Sequence, residues 1–266
     1  MPVGTGAPGR AQIEERTLRT DRWWQTPLIT AAFLSAWVLY AVIRTASQRA
    51  YWVDQYHYLS PFTSPCVTAN CPDEARDFGQ WFGHFPPFVP LALMVLPFLL
   101  GFRLTCYYYR KSYYRAFWQS PPACAVAEPH SGYTGETRFP LIVQNLHRYF
   151  FYAAVVISVL NTWDLIRAFH GKDGDFGIGL GTVIMGINVI LLWTYTASCH
   201  SCRHIMGGRL RHFSAHPIRY RAWSFVSKLN TRHGQLAMTT LVTLMVTDAY
   251  IALVSSGAFN DPRIFN

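Results

Sequence analysis

Five long apolar runs, separated by polar segments, dominate the sequence. They cover about residues 27–43, 86–106, 149–169, 178–199 and 235–255. Each run has about the length that an α-helix needs to cross the ~30 Å hydrocarbon core of a bilayer. The sequence therefore predicts an all-α integral membrane protein, with one membrane domain over residues 1–266 built as a bundle of five transmembrane helices.

The composition supports this prediction. The chain has 266 residues, of which 51% are hydrophobic, 16% aromatic and only 14% charged, and this charge content is low for a soluble domain of this size. The first run follows Arg22, Trp23 and Trp24 and ends at Arg44. No small-residue cleavage site follows it, which favours a membrane span over a signal peptide.

The basic residues predict an orientation. Segments 1–25, 103–148 and 203–233 carry four, six and seven Lys or Arg, together 17 of the 23 in the chain. Because cytoplasmic loops are enriched in these residues, we expect the amino terminus to be cytoplasmic and the carboxyl terminus to lie outside. The net charge of +9 thus indicates topology. Nucleic-acid binding is not expected, because the arginines flank spans and form no separate basic domain.

The cysteines divide between the two sides of this predicted topology. Cys66 and Cys71 lie in an outer loop, where an oxidising compartment favours a small-loop disulfide over two thiols. The other four lie on the cytoplasmic side or at its membrane boundary, where disulfides are not expected: Cys106, Cys124, Cys199 and Cys202.

The stretch S-C-H-S-C-R-H, residues 198–204, gathers metal-binding side chains at the end of the fourth span. If the helix continues through it, Cys199 and Cys202 share one face, and His200 and His204 share another, rotated by roughly 100°. A CxxC pair at a membrane boundary favours a metal or cluster, whereas His200 and His204 suit a ligand role or an interfacial one equally. His212 and His216, in the arginine-rich loop, are read as interfacial anchors.

Two further histidines open neighbouring spans. His147 begins the third span and His233 the fifth, so alternating spans bring both to the membrane face where the fourth span ends. Two thiolates with two imidazoles suit either a tetrahedral zinc or a Rieske-type [2Fe–2S] centre. Facing histidines would also serve as axial ligands of a haem. The residues alone leave these three alternatives open.

A polar residue inside an apolar run can be interpreted as functional or as structural. Asp248 could serve a proton route or a quinone contact, or it could form a hydrogen bond between helices. The aromatic and basic strip 107–118 is typical of a membrane-interface belt, and it would also suit a docking surface or the rim of a quinone pocket. A transporter is disfavoured, because the sequence has no internal repeat and few charges near the membrane centre.

Three longer motifs carry a resemblance. They are Y-Y-R-A-F-W-Q-S-P-P-A-C-A-V-A-E-P-H, Y-T-G-E-T-R-F-P-L-I-V-Q-N-L-H-R-Y-F-F-Y and S-C-H-S-C-R-H-I-M-G-G-R. In these the chain resembles the single-chain, five-span membrane anchor of actinobacterial succinate dehydrogenase (respiratory complex II). The resemblance implies a multi-pass cell-membrane subunit without the dehydrogenase centre. Its partners would be a succinate-oxidising flavoprotein and an iron–sulfur subunit, and its electron acceptor a quinone, expected to be menaquinone.

The resemblance also implies a cofactor. The branch that the chain most resembles is associated with a Rieske-type [2Fe–2S] centre in place of haem, and we expect Cys199 and Cys202 on one iron and His147 and His233 on the other. Nearby arginines would favour the reduced state: Arg148, Arg203 and Arg232. Substitute ligands would be Cys106, Cys124, His130, His200 or His204.

The alternatives to that cofactor are a haem b and a zinc-stabilised structural anchor. Related di-haem anchors need four buried histidines, whereas the outer-side histidines here, His57, His84 and His170, fall in or beside loops. Two haems are therefore not expected. The sequence identifies no catalytic residue, and it places the quinone pocket no more closely than the cytoplasmic boundary.

Overall fold

The computed structural model describes residues 20–68, 71–76, 88, 90–119, 123–124, 126, 137–139, 141–208 and 210–266. Helices account for most of this part of the chain. They are α1 (Gln25–Ser47), α2 (Leu91–Leu104), α3 (Tyr107–Tyr113), α4 (His147–Ala168), α5 (Leu180–Ala197), α6 (His200–Gly207), α7 (Pro217–Asn230) and α8 (His233–Ser255).

Four helices are long and apolar enough to cross a membrane: α1, α4 with the 3₁₀ turn Leu141–Leu146 before it, α5 and α8. A broken pair, Ala92–Leu104 and Tyr107–Trp118, passes the same criteria when its two parts are taken together. The described part of the chain therefore has four to five candidate spans.

The described residues form two compact units. The first takes residues from 1–36 and 103–146, and the second takes residues from 37–102 and 147–266. In the first unit the strip 107–118 is helical, with α3 continuing into the π-helical turn Tyr114–Trp118. Arg103 is buried and its Nη1 donates to the hydroxyl of Tyr109 at 3.2 Å.

In the second unit α5 packs against both α4 and α8. Apolar side chains of these helices are buried, among them Met185, Leu241 and Leu244. Polar side chains are buried beside them, including Asn188 and Thr240. A bundle whose interior is partly polar has groups that must find partners within the protein.

The segment 51–68 is a folded insertion rather than a loose loop. Strands β1 (Trp52–Val53) and β2 (Tyr58–Leu59) pair antiparallel, with Trp52 opposite Leu59. Phe62, fully buried, packs its ring 5.8 Å from that of Trp37 and 5.7 Å from that of Tyr40. Two-residue strands carry too little periodicity to be recognised in the sequence.

The disulfide predicted between Cys66 and Cys71 is confirmed, with the two Cα atoms 5.9 Å apart. Cys106, Cys124, Cys199 and Cys202 form no disulfide among the described residues. A second antiparallel pair, β3 (Ile178–Gly179) with β4 (Arg263–Phe265), joins the start of α5 to the end of the chain.

Candidate functional site

The stretch 198–204 does not continue the helix before it. Helix α5 ends at Ala197, and Cys199 has extended backbone angles (φ −64°, ψ 144°) as the N-cap of α6. Its Sγ accepts a hydrogen bond from Ser201 N at 3.4 Å. The expectation that Cys199 and His200 point about 100° apart on one helix is therefore wrong, because a helix boundary separates them.

Cys199 and His147 meet at this boundary. The thiol is fully buried, and its Sγ lies 3.2 Å from His147 Nε2. His147 is the first residue of α4, and its ring stacks on Phe102 with the centroids 5.2 Å apart. Two of the four predicted ligands are thus in direct contact.

His233 lies at the start of α8 and is 1% exposed. Its Nδ1 is 2.6 Å from Ser198 Oγ, and its ring stacks on that of Tyr195 at 4.9 Å. The Ser198 hydroxyl has one hydrogen, which it donates to Tyr195 O at 2.7 Å. His233 Nδ1 must therefore be the donor to Ser198, which leaves the ring's acceptor electron pair on Nε2.

Of the other two metal-capable residues of the stretch, Cys202 is buried and His200 is exposed. Cys202 lies on α6, and burial raises the pKa of its thiol above the ordinary value. The His200 ring centroid lies 6.2 Å from that of His233. Burial, and next the Arg203 charge, lower the pKa of His200, so it is neutral at pH 7. We call His147, Cys199, Cys202 and His233 the Cys/His cluster.

The donor atoms of the Cys/His cluster are of the types that zinc or an iron–sulfur centre takes. However, no three His, Cys, Asp or Glu side chains among the described residues converge as a metal site would require. The contact between His147 and Cys199 is half of the predicted ligand set. The described geometry therefore does not form a closed four-ligand site.

The expected substitute ligands and arginines are placed as follows. His204 Nδ1 lies 2.9 Å from Arg148 Nη2, and His130 lies outside the described residues. In the first unit Cys106 is buried and Cys124 exposed. Arg203 donates from Nε to Ser227 Oγ at 3.0 Å, and its guanidinium covers the Trp223 ring at 5.1 Å.

A second polar site surrounds Asp248, near the opposite end of α8. Its carboxylate is 1% exposed and accepts hydrogen bonds from Tyr40 OH (2.5 Å), Arg44 Nε (2.6 Å) and Ser60 Oγ (2.5 Å). The bond between helices that the sequence allowed is therefore formed. We call these four residues the Asp248 network.

Two further buried carboxylates hold neighbouring segments. Asp164 of α4 accepts from Ser64 Oγ at 2.5 Å. Asp261 accepts from Gly181 N at 2.8 Å and from the hydroxyls of Tyr58 and Tyr250. Sequence reasoning missed Asp261, since it lies in a polar tail. For Asp248 the signal was a carboxylate within an apolar run.

Comparison with known proteins identifies the family. The sequence model of the actinobacterial succinate dehydrogenase subunit SdhC matches residues 25–257. The chain belongs to this SdhC family. It is also similar to a chain of the structure titled "Mycobacterium smegmatis Sdh1 complex in the apo form", with 65% sequence identity, 98% of each chain covered and a TM-score of 0.87. Among curated proteins, none matches the chain.

The resemblance of the sequence to actinobacterial succinate dehydrogenase anchors is thereby confirmed. This SdhC-family chain is a multi-pass membrane protein and a subunit of an oxidoreductase complex. Within the second unit it places thiol and imidazole groups at one end of α4, α5 and α8 and buried carboxylates toward the other. The first end suits electron transfer or metal binding, and the second suits proton handling or structural hydrogen bonding.

Proposed function

We propose that this SdhC-family chain anchors succinate dehydrogenase to the membrane and passes electrons from the iron–sulfur subunit to a quinone. Family membership over residues 25–257 supports the assembly with a flavoprotein and an iron–sulfur subunit. The quinone, which we expect to be menaquinone, takes its electrons near the cytoplasmic boundary.

The observation that carries this proposal is the contact between His147 Nε2 and Cys199 Sγ at 3.2 Å. It joins two redox-capable or metal-capable groups that are 52 residues apart in sequence, at the ends of α4 and α5. His233 supports the same location, because its Nδ1 lies 2.6 Å from the hydroxyl of Ser198, the residue before Cys199.

We retain the four members of the Cys/His cluster as the proposed ligands. A Rieske-type [2Fe–2S] centre held by two thiolates and two neutral imidazoles would accept one electron at a higher potential than an all-thiolate cluster. The described residues do not by themselves form a closed four-ligand site. The chain's own contribution is to bury Cys199 and to fix the His233 tautomer.

The test is the double substitution His147→Ala with His233→Ala in the purified complex. Neither histidine lies at the centre of a span, so the helices should still insert. We expect a complex that assembles and oxidises succinate with a soluble dye but no longer reduces quinone. The matched control is His212→Ala with His216→Ala, which removes two exposed histidines and should keep quinone reduction.

Absorption spectra, electron paramagnetic resonance and metal analysis of the wild-type complex distinguish the alternatives. A Rieske-type signal that is absent from the double variant supports the ligand set. Zinc without a redox signal supports a structural anchor, and a haem b spectrum supports a haem-carrying anchor. An unchanged rate of quinone reduction in the double variant would refute the proposed site.

A further inference from the structure

A row of buried polar side chains follows the contact between α5 and α8. Its two ends are His233 of the Cys/His cluster and Asp248 of the Asp248 network. Between them lie four side chains, each at most 2% exposed: Tyr195, Asn188, Thr240 and Thr247. We call this row the α5–α8 seam.

The spacing along the seam is regular. The bond between Ser198 and His233 fixes the relative position of the two helices. An α-helix rises about 1.5 Å per residue, which gives each side chain a position along the axis relative to this bond. These positions are about 4.5 Å for Tyr195, about 10.5 Å for Thr240 and about 15 Å for Asn188. Thr247 and Asp248 follow at about 21 Å and about 22.5 Å. No step along the axis exceeds about 6 Å, and one water bonded on both sides at about 2.8 Å covers nearly that length.

Asn188 shows that the seam needs a polar partner that the described residues do not supply. It lies seven residues from Tyr195 and therefore on the same face of α5, and Tyr195 stacks on His233 of α8. Asn188 is 2% exposed, and its Oδ1 has no hydrogen bond within the described part of the chain. A buried carbonyl of this kind is normally satisfied by an internal water.

The hydroxyl groups of the seam threonines donate hydrogen bonds to backbone carbonyls of their own helix. Thr240 Oγ1 donates to Leu236 O at 2.9 Å and lies 3.1 Å from Ala237 O, and Thr247 Oγ1 donates to Thr243 O at 2.8 Å. A threonine oxygen that donates its hydrogen is also able to accept one, as in Thr247. Because these bonds run within α8, they do not tie it to α5 as polar residues at helix contacts often do.

We propose that the α5–α8 seam holds a file of water that conducts protons from the Asp248 network to the membrane boundary at which the His233 end of the seam lies. This inference rests on the proposed function, since quinone reduction consumes the protons. One quinone takes two electrons, which succinate releases as it becomes fumarate, and two protons to form the quinol. The seam supplies those two protons from the aqueous side nearest Asp248.

The experiment uses the whole complex in liposomes that contain a quinone and a trapped pH indicator. Succinate added outside activates only complexes whose dehydrogenase subunits face outward, and the Asp248 end of these faces the lumen. We expect the lumenal pH to rise during wild-type turnover. Asn188→Leu should lose this rise while succinate oxidation with a soluble dye is retained.

Matched controls separate conduction from folding. Thr240→Val removes a seam hydroxyl, whereas Thr239→Val makes the same change at the neighbouring exposed position. We expect loss of the lumenal pH rise in the first and its retention in the second. Asn188→Ser, which restores a small polar group, should recover the rise. If the Asn188→Leu complex fails to assemble, the comparison of Thr240→Val with Thr239→Val tests the inference.

The outcomes distinguish this inference from the proposed function. Quinone reduction by the wild type without a lumenal pH rise overturns the proton file and leaves the proposed function intact. A normal rise in assembled Asn188→Leu, or in Thr240→Val, overturns it as well. A wild-type complex that does not reduce quinone at all refutes the proposed function and, with it, the inference.

Discussion

Replacing Asp248 by alanine tests what holds the 51–68 segment in the second unit. The wild-type carboxylate accepts hydrogen bonds from Tyr40 and Arg44 of α1 and from Ser60 of the segment itself. Alanine removes the acceptor for all three donors. The Arg44 side chain, 17% exposed, is then left largely buried without its counter-ion.

The expected loss follows from that geometry. Removing one partner of a buried ion pair typically costs about 3–5 kcal/mol, because the remaining charge is uncompensated. Since Arg44 retains some access to solvent, we expect a value near the lower end, about 3 kcal/mol. In the double variant Arg44→Leu with Asp248→Leu both charges are gone, and the cost should be much smaller.

The Cys66–Cys71 disulfide provides a local assay. Its cysteines are 2% and 4% exposed, so a membrane-impermeant phosphine can reduce the bond only after the segment opens. If the free energy of opening the segment falls by the full loss of about 3 kcal/mol, the open state is populated roughly 100-fold more often. The disulfide should then be reduced roughly 100-fold faster. The rate is measured in the intact complex by mass spectrometry after alkylation.

Three results would contradict this reasoning. An unchanged reduction rate in Asp248→Ala would show that the network does not hold the segment. A double leucine variant as labile as the alanine variant would show that packing around Asp248, and not the unpaired Arg44 charge, sets the cost. A lower melting temperature with an unchanged reduction rate would place the loss elsewhere in the bundle.

Three further predictions follow from the charge distribution and from burial. A cysteine label at position 215 should react only from the cytoplasm, and one at position 173 should react only from outside. The reverse pattern would refute the predicted orientation. Because burial raises the pKa of Cys202, its thiol stays protonated at pH 7.5 in the metal-free complex. Alkylation by iodoacetamide should therefore be slow and accelerate roughly tenfold per pH unit, whereas a pH-independent rate would contradict this. Affinity purification through this chain at moderate salt should recover the flavoprotein and iron–sulfur subunits, and recovery of the chain alone would count against the oxidoreductase function.

Much of the helical architecture was accessible from the sequence, because the apolar runs are long. Helices α4, α5 and α8 begin or end close to the predicted limits, and these limits bring His147, Cys199 and His233 to the same end of the second unit. The signal has a physical cause, because the fixed thickness of the hydrocarbon core sets the length of each apolar run. Orientation rests on charge alone.

The helix boundary at Ser198 and Cys199 could not be read from the sequence. The stretch T-A-S-C-H-S contains neither glycine nor proline, which are the strongest signs of a helix end. The cap depends instead on tertiary contacts, with Ser198 bonded to His233 and Ser198 O accepting from Asn230. A helical-wheel argument fails at such a site, because it assumes that the backbone continues.

The partners of the buried carboxylates were equally hidden. Ser60 and Arg44 lie 188 and 204 residues before Asp248, and no local pattern links positions so far apart. The sequence could show that an ionised side chain on an apolar helix needs a partner. It could not show that a folded insertion between two spans would supply one.

The structure adds backbone groups to the electrostatics of the Cys/His cluster. The sequence suggested that arginines beside the ligands favour added negative charge, and this stays a prediction. Arg203 donates to Ser227 and covers the Trp223 ring, and Arg148 lies against His204. Backbone groups act in the same direction. Cys199 is the N-cap of α6 and its sulfur accepts the Ser201 N–H, a position where a helix favours negative charge. His233 opens α8, where the same dipole disfavours a protonated ring. The ends of two helices thus favour a thiolate at Cys199 and a neutral imidazole at His233, which are the protonation states that a metal or cluster requires of its ligands.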